Sequence, residues 1–174
     1  MADMLVKLYA LPDAAPYLAR LKTQSIFIRQ GQPGQKRIIT EWVRQHFQDS
    51  WAVGCEWPFT RDPISCYIAF EKDKSFVPSQ DPYALPKEKL IGFACYDTAS
   101  KGIFGPMGVQ EEYRERGIGR ALLLTSLHAM AAERYAYAVI GWAGSPEFYQ
   151  KTVGATLIES SEPGIFRGEL VGGA

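Results

Sequence analysis

The stretch Arg114-Glu115-Arg116-Gly117-Ile118-Gly119-Arg120 gathers three arginines and two glycines in seven residues. Residues of these types at this spacing suit the binding of an anion. Glycine lets the backbone fold back tightly at little steric cost. A helix that follows such a turn opens with amide N–H groups that have no acceptor inside it. Those donors and the positive end of the helix dipole together attract a phosphate. Arginine adds a planar fork that matches phosphate oxygens. The amides of Glu115, Arg116, Gly117, Ile118, Gly119 and Arg120 therefore form the candidate cradle. Arg114, with Arg116 or Arg120, adds charge.

Such a cradle works only if a strand delivers the chain and a helix carries it away. Ile103–Val109 reads as an apolar strand and Gly117 to about Glu133 as a long apolar helix. This context weighs against a plain tight turn with solvated arginines. A dinucleotide-binding loop is the weaker alternative, because Leu122 stands where its third glycine belongs. Tyr137–Trp142 reads as a second buried strand. Ser145-Pro146-Glu147 then signals a helix start, and Gly154 its stop. Within Ile103–Val109, the residues Gly105, Pro106 and Gly108 predict a bulge or local break, since proline cannot donate to a ladder and glycine weakens one.

From about Ile91 to Ala155 the chain resembles the GNAT superfamily of N-acetyltransferases. Arg114-x-x-Gly117-x-Gly119 resembles its motif A, which binds the pyrophosphate of acetyl-CoA. The resemblance implies an α/β fold: a mixed, mostly antiparallel sheet with helices on both faces and a splayed central strand pair that holds the cofactor. It implies transfer of an acetyl group from acetyl-CoA to an amine by direct attack. By analogy, backbone groups of Met107 and Val109, on either side of Gly108, would pair with pantetheine as a missing strand would. A bulge beside them would turn a free N–H toward the thioester oxygen. Ser145 counts among the cofactor contacts. Many family members place a tyrosine four residues before a glycine in the last of these helices, to protonate the departing thiolate. Here Tyr149 stands five residues before Gly154, and Gln150 four. A helix turns about 100° per residue, so side-chain direction decides between them. Tyr149 is preferred as the general acid. No carboxylate lies on Ile103–Val109 to act as base; Asp97, Glu56 and Glu71 are distant candidates, and a bound water could relay the proton instead. A non-catalytic acyl-CoA-binding or sensor module on the same fold is the competing reading.

The 174 residues are 47% hydrophobic, enough for one domain with a sizeable core. Zero formal net charge argues against a general field for nucleic acid. The N-terminus is too interrupted for a signal peptide, and no apolar run reaches membrane-spanning length. The expectation is a cytoplasmic protein with neither nucleic-acid nor membrane partners. The three cysteines, Cys55, Cys66 and Cys95, lack metal-motif spacing, and His46 and His128 are the only histidines, so no metal is expected. Reduced buried thiols are expected, with Cys66 and Cys95 on neighbouring strands. The acceptor, a small-molecule or peptide amine, would sit among the N-terminal helices, the segment Trp51 to Phe59, and Trp142. Exposed sheet edges make a homodimer compatible with this arrangement.

The remaining elements read as a strand Met4–Leu11, helices Asp13–Gln30 and Arg37–Phe47, and an irregular aromatic segment Trp51–Pro63. Strands Ser65–Glu71 and Lys89–Thr98 follow, joined by a long connection from Asp73 to Lys87. Thr156–Ser160 and Ile165–Leu170 would pair across Ser161-Glu162-Pro163-Gly164.

Overall fold

Alternation along one central strand explains why the sheet is covered on both sides. In β4 (Glu88–Tyr96), Ala94 and Tyr96 enter one buried cluster, where the register shift between Leu90 and Gly92 also brings Ile91, while Phe93 and Cys95 enter another. Successive residues of a strand point to opposite faces, so each face needs its own cover. On the first face that cover is α1 (Ala15–Lys22) and α4 (Ile118–Ala132). On the second it is α2 (Lys36–His46) and α3 (Asp49–Gly54), through Ile39, Val43 and Ala52. The computed structural model describes residues 1–73 and 87–165.

The other strands are β1 (Met4–Lys7), β2 (Ile26–Gln30), β3 (Cys66–Lys72), β5 (Ile103–Val109), β6 (Tyr137–Ile140) and β7 (Thr156–Leu157); α5 spans Pro146–Val153. They form one sheet in the order β2-β3-β4-β5-β6-β1-β7. Every pairing in it is antiparallel except that of β5 with β6. The mixed, mostly antiparallel sheet with helices on both faces is thus present. Helix α4 buries residues around most of its circumference, among them Ile118, Leu122, Leu123, Leu124, Leu127 and Met130. A helix apolar on all sides belongs in the middle of a core. Helix α2 buries Ile39, Thr40 and Val43 and keeps Arg37, Glu41 and Arg44 exposed, the pattern of a surface helix.

Four sequence expectations are corrected. The helix expected over Asp13–Gln30 stops at Lys22, and Ile26–Gln30 is a strand paired with β3, Ile28 opposite Ala69. The run Ile26-Phe27-Ile28 favours a strand once a partner edge is available. Strand β1 ends at Lys7, and Leu8–Ala10 winds into a 3-10 turn. The segment Trp51–Pro63 is regular in part, contributing most of α3 and a 3-10 turn at Trp57–Thr60. Finally, the strand expected over Thr156–Ser160 stops at Leu157, and this β7 pairs with β1, Thr156 opposite Leu5 and Leu157 opposite Met4. The partner strand expected at Ile165–Leu170 falls outside the described residues from 166 onward, as does most of the Asp73–Lys87 connection.

The cysteines behave as expected: all three are free and fully buried, and Cys66 pairs with Cys95 across β3 and β4. The sulfurs of Cys55 and Cys95 lie 3.6 Å apart. Burial and the neighbouring thiols hold the Cys95 thiol well above its ordinary range, so it stays protonated.

Candidate functional site

Strands β5 and β6 run side by side only at Ile103–Val139 and Phe104–Ile140. Beyond that point β6 ends, while β5 continues to Val109. The central pair therefore splays, and Gly105–Val109 has no partner on that side among the described residues. Gly105 and Pro106 lie opposite the single residue Cys95, between the pairs Ala94–Met107 and Tyr96–Phe104. Two residues facing one is the expected bulge. The hydroxyl of Thr98 donates to the Gly105 carbonyl at 2.8 Å and holds the bulge from the β4–β5 turn. At the far end, the N–H of Gln110 donates to the Ile91 carbonyl on β4 at 2.9 Å. Backbone groups of successive strand residues point to alternate edges. The N–H and C=O of Val109 and Met107 therefore face the gap, where the sequence reading wanted them.

The gap runs into the Arg/Gly turn. Glu115 and Gly117 both adopt positive φ, at 63° and 89°. A Cβ on Gly117 would meet nothing within 4 Å, so its backbone conformation is what calls for glycine there. Among the described residues, no backbone hydrogen bond uses the amides of Glu115 through Arg120. The ladder of α4 begins with Ala121 donating to the Gly117 carbonyl at 3.1 Å. The expected row of unpartnered donors is thus formed. The arginines are arranged differently from one another. Arg114 Nε donates to the Val109 carbonyl at 3.3 Å, which links the turn to the gap-facing edge. Arg116 stacks 4.9 Å from the Tyr113 ring centroid. Arg120 lies 5.3 Å from the ring of Tyr17 on α1, drawn toward that helix. Arg114 and Arg116 are exposed and Arg120 is half-buried.

Helix α5 forms the opposite wall. A Cβ on Gly119 would stand 3.8 Å from Val109 Cγ2 and 4.0 Å from Phe148 Cζ, so β5, the first turn of α4 and α5 converge there. Ser145 caps α5 through its carbonyl, which accepts from the Phe148 N–H at 3.0 Å; its side chain makes no capping bond and is exposed. Tyr149 is half-buried against the α4 side of the core and packs edge-on to Phe148, with centroids 5.1 Å apart. Gln150, the competitor by spacing, is exposed. Helix direction therefore turns Tyr149 inward. Burial raises its phenol above the ordinary value, and among the described residues its hydroxyl has no hydrogen-bond partner.

The model of the acetyltransferase (GNAT) family matches residues 37–159. This chain belongs to that family. The solved structures most like it in fold include a GCN5-related glucosamine N-acetyltransferase region of a fungal multi-domain GH3 β-N-acetylglucosaminidase. That likeness has a TM-score of 0.68 at 14% identity, covering 90% of this chain and 19% of the other. A GCN5-related N-acetyltransferase from Sphaerobacter thermophilus gives 0.60 at 22% identity, covering 90% and 48%. A Drosophila protein gives 0.56 at 12%, covering 90% and 47%. This chain thus spans less than half the length of each, and the likeness is one of fold. No curated protein matches it by sequence.

In this GNAT protein the carboxylates weighed as bases are engaged elsewhere. Glu71 accepts from the Tyr113 hydroxyl at 2.8 Å. Asp97 is buried and accepts from Arg61, Tyr135 and the Gly102 amide, each at 2.7 Å. Glu56 pairs with Lys36 at 3.3 Å on the surface. The other side of β5 is lined by the α2–α3 elbow. Phe47 lies so close that a Cβ on Gly108 would meet its ring at 2.6 Å, and Gly54 sits near Pro106. Gly108 thus has a packing role that its sequence position did not disclose. Trp42, Phe47, Trp51 and Phe93 form one aromatic cluster there. Trp142 does not join it. Its backbone N–H donates to Asp3 Oδ1 at 2.9 Å, and its ring lies against Gly164. Phe148 and Tyr113 were the site residues missed in sequence. Their only signals were adjacency to Tyr149 and to Arg114.

Among the described residues, no group of histidine, cysteine or acidic side chains is placed to hold a metal ion, and no helix is long and apolar enough to cross a membrane.

Proposed function

We propose that this chain is an acetyl-CoA-dependent N-acetyltransferase that passes the acetyl group directly to the neutral form of an amine. The observation that carries the proposal is the continuity of two binding edges. The gap-facing backbone of Met107 and Val109 is followed, after the short turn Glu111–Tyr113, by the amides of Glu115–Arg120, which have no backbone partner among the described residues. A ligand with an extended amide-bearing arm ending in a pyrophosphate fits that sequence of donors and acceptors. The amides and Arg116 would meet the phosphates, with Arg114 released from Val109 as the arm pairs with β5. The bulge at Gly105–Pro106 would supply the donor for the thioester oxygen.

The reaction then needs an acid and a path for the amine proton. Tyr149, neutral and without a hydrogen-bond partner among the described residues, would protonate the departing thiolate. Glu71, Asp97 and Glu56 are occupied, so the proton of the attacking amine would leave through water. Direct attack needs no acyl-enzyme, and the buried, protonated Cys95 is unsuited to forming one. The acceptor would be a small-molecule or peptide amine reaching β5 past the α2–α3 elbow, and the cytoplasm is the setting this chemistry suits.

One observation favours a second reading, a module that binds acyl-CoA without turnover: each carboxylate considered as base already has a partner. Calorimetric titration with acetyl-CoA, beside ATP and NAD, tests the core of the proposal. Selective binding of acetyl-CoA is expected. Preference for ATP or NAD would refute it. Binding followed by no acetyl transfer over a broad amine panel would support the binding-only module.

A further inference from the structure

Tyr113 closes the short 3-10 turn Glu111–Tyr113 that leads from β5 into the anion turn. It is buried, with 7% of its surface exposed. Its hydroxyl donates to Oε2 of Glu71 at 2.8 Å and accepts from Nζ of Lys89 at 3.2 Å. Glu71 and Lys89 are register partners on β3 and β4, so one phenol ties the turn to two strands at once. The ring also holds two cations. Lys89 and Arg116 each lie 4.9 Å from its centroid, within the range of cation–π attraction. A tyrosine buried for packing alone needs only one partner for its hydroxyl. Here the hydroxyl is satisfied as donor and as acceptor, both times by a charged group, which strengthens each bond.

We infer that Tyr113 is the positioning residue of the anion turn, fixing Arg116 and the amides of Glu115–Gly119 in line with the gap from across the sheet. The inference rests on the acetyl-CoA reading of that turn. Tyr113 acts through the turn and through Arg116, and takes no part in the acyl transfer itself. Two residues of positive φ on either side of Arg116, Glu115 and Gly117, give the turn a shape that local propensity alone does not hold. The contacts to Glu71 and Lys89 supply the missing restraint.

Tyr113→Phe keeps the ring and its stacked cations and removes only the hydroxyl. Affinity is measured by calorimetry with acetyl-CoA. Turnover is measured with acetyl-CoA and with S-acetylpantetheine, which carries the acyl arm without the nucleotide and its phosphates. The expected result is a Kd and KM for acetyl-CoA raised about tenfold with kcat within about twofold. S-acetylpantetheine should be used equally well by both proteins. Lys89→Met should weaken acetyl-CoA binding as well, and Lys89→Arg, which keeps a donor, should recover most of it. Equal affinity of Tyr113→Phe and the parent protein for acetyl-CoA would overturn the inference. An equal loss on both acyl donors would also overturn it, because that marks a general structural role. If the parent protein binds no acetyl-CoA, the reading of the turn fails first and this inference fails with it.

Discussion

Tyr149 and Gln150 illustrate how much one residue of helical phase decides. Spacing from Gly154 favours Gln150, yet Gln150 is exposed and Tyr149 packs inward against Phe148. The desolvation that raises the Tyr149 phenol also suits it to its proposed task, since an acid must still hold its proton when the thiolate leaves. Tyr149→Phe should lower kcat about a hundredfold while leaving acetyl-CoA affinity unchanged, read by steady-state kinetics beside calorimetry. The direction of the shift fixes the pH behaviour as well. Because the folded phenol titrates above its ordinary value, any alkaline fall in kcat that depends on Tyr149 should lie above about pH 10. An alkaline limb at lower pH that persists in Tyr149→Phe belongs to another group.

At the scale of elements, the site is made by a strand that keeps going after its neighbour has stopped. The β5–β6 pairing covers Ile103 and Phe104 only, and the bulge at Gly105–Pro106 marks where β5 leaves the regular ladder. Phe47, at the C-cap of α2, then packs onto Gly108 and supports β5 from the face opposite α4. Gly108→Ala would place a methyl group 2.6 Å from the Phe47 ring, and the resulting overpacking should cost about 1–3 kcal/mol in urea unfolding. Combining it with Phe47→Leu should return part of that loss, since the two positions share one space. Strict additivity of the two substitutions would show that the contact is not what limits the glycine. The sequence marked Gly108 as a strand-weakening residue in the cofactor edge. The reason for its small size comes from an aromatic side chain 61 positions earlier.

Across the whole molecule, the end of the sheet away from the anion turn is held by a polar network. Arg61 bonds Asp97 and Glu133, Tyr96 donates to Glu133, and Tyr135 donates to Asp97. It joins the segment after α3, the end of β4 and the end of α4. Both phenols are held protonated by burial and by their carboxylate partners: Tyr135 is pushed up to about 12, and Tyr96 is raised further. Their folded values exceed the unfolded one, so their contribution to stability is full below about pH 10 and is lost as pH rises through the folded values. Stability should therefore fall between about pH 10 and about pH 12. Tyr135→Phe, which cannot ionise, should be less stable at neutral pH but lose less over that interval, measured by urea unfolding at the two pH values. An identical loss in both proteins would remove Tyr135 from the alkaline transition.

The sequence by itself determined the Arg/Gly turn, the strand and helix around it, the second parallel strand, the bulge and the helix carrying Tyr149. Each is a local matter: glycine spacing, a proline in a strand, an apolar run, a cap. The elements from Ile103 to Gly154 accordingly follow the expected order, although the strand expected to reach Trp142 ends at Ile140 and the turn Glu111–Tyr113 had no local signal. Tertiary structure decided what depends on a partner distant in sequence. Ile26–Gln30 becomes a strand because β3 offers an edge, and Met4–Lys7 lies between β6 and β7, where Met4 and Val6 find a core. Trp142 turns toward Asp3 and Gly164, and Tyr113 reaches Glu71 and Lys89. None of these choices has a local signature, because a side chain's direction and a strand's partner are set by packing, and packing is a property of the folded chain.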